Sequence, residues 1–166
     1  MAGFRERLAF DADCGEYRDG AIRYMMIRPD ALMGILHQLP ADMQPAVLEA
    51  FARSITEAGG KSAAAYRAAG SVDGPALVAT IARTAPELGW GIWTLTLGAS
   101  RMDLSVANSP FVAGYGRSAT PVCHPIVGML TAVGRMVFGT DVAVQETQCA
   151  AVTGDADCRF EVISLA

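Results

Sequence analysis

The chain has 166 residues, of which 52% are hydrophobic and only 18% charged, with a formal net charge of −4 at pH 7. This length suits one domain, and the acidic balance provides no basic surface of the kind that binds nucleic acid. No apolar run reaches the roughly eighteen residues that span a bilayer, and the charged N-terminus lacks the apolar segment of a signal peptide. We therefore expect one cytoplasmic domain over residues 1–166, with neither nucleic acid nor membrane as a partner.

Hydrophobic periodicity and turn residues predict an α+β fold, in which an antiparallel sheet of about four to five strands packs on helices. The Gly59-Gly60 pair lies inside a long helical pattern, so we expect a kink, two helices or a close backbone approach there. The predicted elements are a strand from Ile22 to Arg28, a helix opened by Pro29 and Asp30 and ended by Pro40, a helix from Ala41 to about Ala69, a helix begun at Asp73-Gly-Pro75, two strands within Trp90–Ser109, a connector from Pro110 to Val122, a helix from Cys123 to Gly139, and a C-terminal hairpin.

The hairpin, VQETQCAAVTGDADCRFEV from Val144 to Val162, contains two of the four cysteines. Together with the cysteine that begins the preceding helix, it gives the pattern Cys-x22-Glu-x2-Cys-x8-Cys, formed by Cys123, Glu146, Cys149 and Cys158. Three thiolates and a carboxylate suit tetrahedral zinc, and this placement would tie together elements that are far apart in the chain. The spacing is not that of a standard zinc finger, and on spacing alone buried cysteines that act as small hydrophobic residues are the simpler explanation.

The segment PVCHPIVGMLTAVGRMVFGTDVAVQETQCAAVTGDADCRFEVI strongly resembles the C-terminal half of the 4-vinyl-reductase (4VR) domain. The hallmarks are a Pro-Val-Cys helix, a Gly, a strand with Glu-x-x-Cys, a Gly turn and Cys-x-Phe; NSPF, GWG and DGAIRYMMI also fall where the family has similar segments. The resemblance implies that Cys123, Glu146, Cys149 and Cys158 bind one zinc ion, as the corresponding residues do in the aromatic-sensing regulators of the family. The spacer before the last cysteine is one residue longer here.

The resemblance also implies a ligand-binding chamber and a fold similar to that of transport-particle subunits, which commonly pair into dimers. We expect a homodimer, because the apolar content exceeds what one small domain usually carries. The connector from Val112 to Ala119 is the expected lid, since Gly114 and Gly116 give its backbone freedom. The candidate ligand-binding residues are Trp90, Trp93, Phe111, Tyr115 and His124. A core role for the aromatic residues, and a helix-start role for His124, are the alternatives.

Because the chain ends at Ala166, soon after the hairpin, we expect a stand-alone domain similar to the family members of bacteriochlorophyll biosynthesis. The expected function is to hold an aromatic molecule or a tetrapyrrole, with zinc in a structural role. The alternative is an enzyme, a vinyl reductase that acts on a chlorophyll precursor. It would need an external electron donor, since no dinucleotide-binding or phosphate-binding motif and no nucleophile–base pair is present. A third possibility is a structural dimer that zinc simply holds together.

Overall fold

The computed structural model describes residues 3–68 and 73–165. Within these ranges short strands come first, helices follow, and the larger sheet forms in the second half of the chain. The elements are α1 (Phe4–Arg7), β1 (Ala9–Asp11), β2 (Glu16–Asp19), β3 (Ile22–Tyr24), α2 (Pro29–His37), α3 (Gln44–Ala68), α4 (Gly74–Glu87), β4 (Ile92–Leu97), β5 (Arg101–Ala107), α5 (Pro110–Tyr115), α6 (His124–Phe138), β6 (Val142–Gln148), α7 (Ala150–Thr153) and β7 (Asp157–Ser164).

The larger sheet has four antiparallel strands in the order β4-β5-β7-β6. Its inner face is apolar because alternate residues of a strand point to the same side. In β5, Met102, Leu104 and Val106 are buried, and they pair in register with inward-facing residues of β7. The predicted α+β class and antiparallel sheet are confirmed. A separate three-stranded sheet, β1-β2-β3, was not predicted, and the strand predicted to reach Arg28 ends at Tyr24.

Helices α4 and α6 contact the inner face of the sheet, and α3 packs against α6 on the side away from the strands. The α3–α6 contact is a backbone contact: a Cβ added to Gly128 would lie 2.2 Å from the carbonyl oxygen of Ala52. The hydroxyl of Thr56 donates to the Gly128 carbonyl oxygen at 3.0 Å. No helix in the described part of the chain is both long enough and apolar enough to span a membrane.

The Gly59-Gly60 pair does not interrupt α3, which runs unbroken from Gln44 to Ala68. The predicted end of this helix at Ala69 lies outside the described residues. Of the three expectations for this pair, a close approach fits best, but the neighbour of Gly59 is a side chain: a Cβ there would lie 3.1 Å from Met129. A Cβ at Gly60 would meet no atom within 4 Å.

The connector predicted as a lid contains a short helix, α5, and the buried side chain of Phe111. Gly114 serves close packing there, because a Cβ at this position would lie 2.2 Å from the carbonyl oxygen of Pro29 at the start of α2. The expectation that Gly114 provides mobility was therefore wrong. Gly116 does have a positive φ of 84°, and it ends the helix.

Replacing Gly128 with Ala should destabilise the protein by roughly 1–3 kcal/mol, because the new methyl group would force α3 away from α6. Gly60→Ala is the matched control, since it adds the same group to a helix where there is open space. It should stabilise the protein by about 0.5–1 kcal/mol through better helix propensity. Urea unfolding measures both changes. Equal effects of the two substitutions would contradict the close backbone contact.

Candidate metal centre and binding chamber

Three cysteines and one glutamate meet where α6 begins and the β6–β7 connection ends. Cys123 directly precedes α6, Glu146 lies on β6, Cys149 precedes α7, and Cys158 lies on β7. Their ligand atoms all lie within 4.8 Å of one another, and the three cysteines are buried. The larger sheet and α6 therefore bring together four side chains that span 36 positions of sequence, from 123 to 158.

A β-bulge places Glu146 and Cys149 on the same side of the sheet. Residues three apart on a regular strand point to opposite faces. The pairing of Glu146 with Phe160 is followed by that of Gln148 with Arg159, so β6 contains one extra residue at this point. The strand is thereby rephased, and Cys149 turns inward next to the carboxylate. The Glu-x-x-Cys spacing thus requires the bulge to act as a pair of ligands.

The geometry of the cluster fits a tetrahedral metal ion. The Sγ atoms of Cys123 and Cys158 are 3.7 Å apart. Two sulfur atoms about 2.3 Å from one tetrahedral zinc ion would be separated by about 3.8 Å. Glu146 Oε2 accepts a hydrogen bond from the Cys123 backbone N–H at 3.2 Å, whereas its buried Oε1 has no hydrogen-bond partner. A free carboxylate oxygen beside three thiols completes a four-ligand set.

Close packing of these groups separates their pKa values. Hydrogen bonds from Cys123 and Cys158 lower the pKa of Cys149, so this residue holds the negative charge. Hydrogen bonding to Cys149 and Cys158, together with burial, raises the pKa of Cys123. Burial and the neighbouring Cys149 raise the pKa of Glu146 to about 8. The hydrogen bond from Cys123 lowers the pKa of Cys158, but bonding to Cys149 and burial outweigh it and raise the value to about 12.

A cation is therefore required to ionise all four groups at once, because each negative charge in the cluster opposes the next. At pH 7 without metal, protons reside on Cys123, Cys158 and Glu146. Metal binding replaces these protons with one divalent ion. The chemistry of this donor set is that of a closed site, in which protein ligands fill all four positions.

Binding of one divalent metal ion at pH 7 should release about three protons, one each from Cys123, Cys158 and Glu146. Metal affinity should consequently rise with pH across the neutral range. Calorimetric titration in buffers of different ionisation enthalpy measures the number of protons. Metal binding without proton release would show that the four residues are not the ligands.

A second feature is an apolar cavity of about 980 Å³ on the helical side of the sheet. Helices α2 to α6 all contribute residues to it, and the N-terminal segment closes one side. Trp90, Trp93 and Phe111 are among its lining residues. The lining residues are Phe4, Arg5, Leu8, Tyr17, Ile22, Tyr24, Met25, Met26, Ile27, Pro29, Leu32, Phe51, Ile55, Ala58, Gly59, Lys61, Ile81, Thr84, Ala85, Glu87, Leu88, Gly89, Trp90, Trp93, Pro110, Phe111 and Met129.

Aromatic rings in this chamber contact one another edge to face. The Trp90 and Phe111 ring centroids lie 5.3 Å apart at 88°, and Phe51 meets Phe111 at 6.4 Å and 89°. The indole N–H of Trp93 donates to the Trp90 carbonyl oxygen at 2.9 Å, which fixes this buried ring. Trp90 is only half-buried, so its ring is the more accessible of the two.

Tyr115 and His124, the other predicted ligand-binding residues, are not among the lining residues of the chamber. Tyr115 instead joins helices: its hydroxyl donates to Gln44 Oε1 at 2.9 Å, and its ring lies 4.4 Å from that of His37. His124 is the first residue of α6, beside the cysteine cluster. Burial lowers the pKa of His124, and its Nδ1 has no hydrogen-bond partner in the described structure.

Sequence reasoning missed the wall that the N-terminal segment contributes. Met25, Met26 and Ile27 line the chamber, and the side chains of Met25 and Met26 are 78% and 74% exposed. These residues follow β3 outside any regular element. The run of adjacent apolar residues was the available signal, but within a strand it would place only every second residue on the inner face.

Comparison with known proteins assigns the C-terminal part of the chain. Residues 102–164 match the vinyl-4-reductase (4VR) domain. The matched segment begins in β5, ends in β7 and includes all four residues of the cysteine–glutamate cluster. The predicted resemblance to the 4-vinyl-reductase family is confirmed. Comparison with curated protein sequences finds no match.

Solved structures extend the likeness over the whole fold. The phenol-responsive sensory domain of the transcription activator PoxR, a crystal structure with phenol, aligns with a TM-score of 0.81 at 17% identity, covering 97% of this chain and 86% of that one. A trafficking protein particle complex subunit 3 from Naegleria fowleri, covalently bound to palmitic acid, gives 0.59 at 11% identity, covering 83% and 95%. A vinyl-4-reductase family protein from Methanocaldococcus jannaschii gives 0.50 at 14% identity, covering 88% and 100%.

Proposed function

We propose that this protein binds an apolar, aromatic small molecule in the chamber, and that it does so as a carrier or sensor rather than as a catalyst. The observation that carries the proposal is the chamber itself. Its volume of about 980 Å³ lies at the upper end of the range for small-molecule sites, which is about 300–1,000 Å³. Its walls are mainly apolar and include three edge-packed aromatic rings, those of Phe51, Trp90 and Phe111.

These residues bind a ligand through buried apolar area and orient it through few polar groups. The Trp90 ring is half-buried and so offers a surface against which an aromatic ligand can pack. Thr84 is a buried polar residue of the wall and can exchange hydrogen bonds with a ligand hydroxyl. The similar PoxR sensory domain, whose structure contains phenol, supports an aromatic ligand.

The finer proposal is a tetrapyrrole intermediate of bacteriochlorophyll biosynthesis. The cavity volume supports a ligand larger than a single phenol ring. The alternative, reduction of a vinyl group, is favoured by the likeness to a vinyl-4-reductase family protein. Incubation with a divinyl porphyrin, with and without NADPH, distinguishes the two functions. A carrier shifts the porphyrin absorption band equally in both samples, whereas a reductase consumes the vinyl group only when the reductant is present.

Replacing Trp90 with Ala should weaken 1-naphthol binding by roughly 1–3 kcal/mol, the value of a buried aromatic contact. Phe10→Ala is the control, because this aromatic residue is 57% exposed and does not line the chamber. Isothermal titration calorimetry gives both affinities, and thermal unfolding checks that the variants fold. Unchanged affinity in a folded Trp90→Ala protein would place the ligand elsewhere.

The second part of the proposal is a structural zinc ion held by Cys123, Glu146, Cys149 and Cys158. The convergence of the four ligand atoms and the unpartnered Glu146 Oε1 support it. Soft thiolates with one carboxylate are a donor set that suits zinc. When bound, the ion supplies charge compensation and cross-links α6 to β6 and β7. Thiolate sites persist in reducing compartments, so the proposal includes a cytoplasmic location.

Purified protein should contain one zinc ion per chain, and Cys149→Ser should lose it and destabilise the fold, because metal binding to such a site contributes free energy to folding. Cys14→Ser makes the same chemical change at an exposed cysteine outside the cluster. It should retain zinc and stability. Elemental analysis and thermal unfolding measure the two effects. A stable Cys149→Ser protein with full metal content would remove this residue from the site.

The third part is a symmetric homodimer formed through the N-terminal strand and helices. Large apolar side chains are exposed there, including Met26 after β3, Ile35 on α2 and Met43 just before α3. The short β1-β2-β3 sheet contributes to the same side of the molecule as the chamber mouth, since Tyr17, Ile22 and Tyr24 are lining residues. A second copy on this surface would cover both the apolar residues and the mouth.

Ile35→Glu should convert the dimer to a monomer, because it buries a charge in the proposed interface. Ile163→Glu on β7 is the control, since this residue is also exposed and lies outside the N-terminal surface. Light scattering at micromolar concentration measures the mass of each variant. A wild-type monomer, or a dimer that survives Ile35→Glu, would contradict the proposed interface.

A further inference from the structure

One buried hydroxyl connects the cysteine cluster with the wall of the chamber. The Oγ atom of Ser109 lies 3.4 Å from the Sγ atom of Cys123, and Ser109 is only 5% exposed. The next two residues in the chain, Pro110 and Phe111, are lining residues of the chamber. A single residue therefore contacts a metal ligand with its side chain and a binding surface through its chain neighbours.

The hydroxyl does not serve its usual local purpose. Ser109 is the N-cap residue of α5, a position where serine normally accepts a hydrogen bond from the first turn of its own helix. It forms no such side-chain cap. Asn108 directly before it has a positive φ of 57°, a conformation that asparagine tolerates, and the chain turns there from β5 into α5.

The direction of this hydrogen bond depends on the state of the cluster. Between a thiol and a hydroxyl, either atom can donate. A cysteine that binds a metal does so as a thiolate, which has no proton to give. Ser109 must then donate to Cys123 Sγ, and a hydrogen bond to an ionised acceptor is stronger than one between neutral groups.

The far end of α5 is also tied to the metal-site elements. The backbone N–H of Ser118, just beyond the helix, donates to the Ala151 carbonyl oxygen of α7 at 3.0 Å. Helix α7 in turn begins at Ala150, whose N–H donates to the Sγ atom of Cys158 at 3.3 Å. Both ends of α5 are thus joined to groups that contact the cysteine ligands.

We propose that Ser109 is a positioning residue that couples the metal centre to the chamber: its hydroxyl donates to the Cys123 thiolate and so fixes the start of α5, which places Pro110 and Phe111 in the chamber wall. Metal binding then strengthens the hold on α5, and a ligand that needs Phe111 in place binds the metal-loaded protein more tightly. The coupling to ligand affinity rests on the proposed function; the contact between Ser109 and the metal ligand does not.

The test compares Ser109→Ala with Ser109→Thr in full-length protein loaded with Co²⁺. Loss of the donor should weaken Co²⁺ binding about tenfold, as for other partners of metal ligands, and move the thiolate-to-cobalt charge-transfer band to longer wavelength. Amides of residues 110–115 should exchange with deuterium faster. Ser109→Thr keeps the hydroxyl and should restore all three properties. Ser105→Ala removes another hydroxyl of β5, which bonds to Asp157 at 2.7 Å, and should leave the band unmoved.

Binding of 1-naphthol to the Co²⁺-loaded Ser109→Ala protein should weaken about fivefold, at the low end of usual coupling between sites. An unmoved band would overturn the Ser109–Cys123 contact. A moved band with unchanged exchange at residues 110–115 would overturn the coupling to α5. Failure of the wild-type protein to bind 1-naphthol would contradict the proposed function, and the cobalt spectrum and amide exchange would still decide the role of Ser109.

Discussion

The structure depends on burying four ionisable side chains in one small volume. Cys123, Glu146, Cys149 and Cys158 have ligand atoms within 4.8 Å of one another, at the junction of α6 with the C-terminal strands. Buried like charges cannot ionise together without a counter-ion, so the cluster must share protons or bind a metal. In either state it links the start of the helix that backs the sheet to β6 and β7.

The surrounding elements follow from this constraint. The bulge in β6 is needed to bring Glu146 and Cys149 to one face, and α7 returns the chain so that Cys158 can pair beside Val106. Helix α6, once fixed at Cys123, packs on the sheet and, through Gly128, against α3. Since α3 and α4 provide much of the chamber wall, the site at one end of α6 and the cavity on the helical side share a single framework.

Local sequence signals predicted the parts of the fold that local chemistry decides. Asp73 caps α4 by accepting the Ala76 N–H at 2.8 Å, and Gly139 ends α6 in the left-handed conformation, as their positions indicated. The alternation of β5 gave its buried face. The four cluster residues could be selected from the sequence because the residue types, and then the family resemblance, pointed to them. Their convergence depends on strand order and a bulge, which spacing alone does not reveal.

The features that escaped prediction are set by tertiary contacts. Helices α5 and α7 are six and four residues long, too short for a periodic pattern to emerge. Tyr115 has the composition of a ligand-binding residue on a mobile loop, but its hydroxyl is engaged by Gln44, some 71 positions away. The chamber wall formed by residues 25–27 arises because an irregular segment presents several adjacent side chains to one space.

The central claim is that the cysteine–glutamate cluster is a metal centre on which the C-terminal half of the fold depends. X-ray absorption at the zinc edge of the purified, full-length protein tests it most directly. The account predicts three sulfur atoms at about 2.3 Å and one oxygen atom at about 2.0–2.2 Å. A folded protein without bound metal, or a zinc ion surrounded by nitrogen and oxygen ligands only, would contradict it.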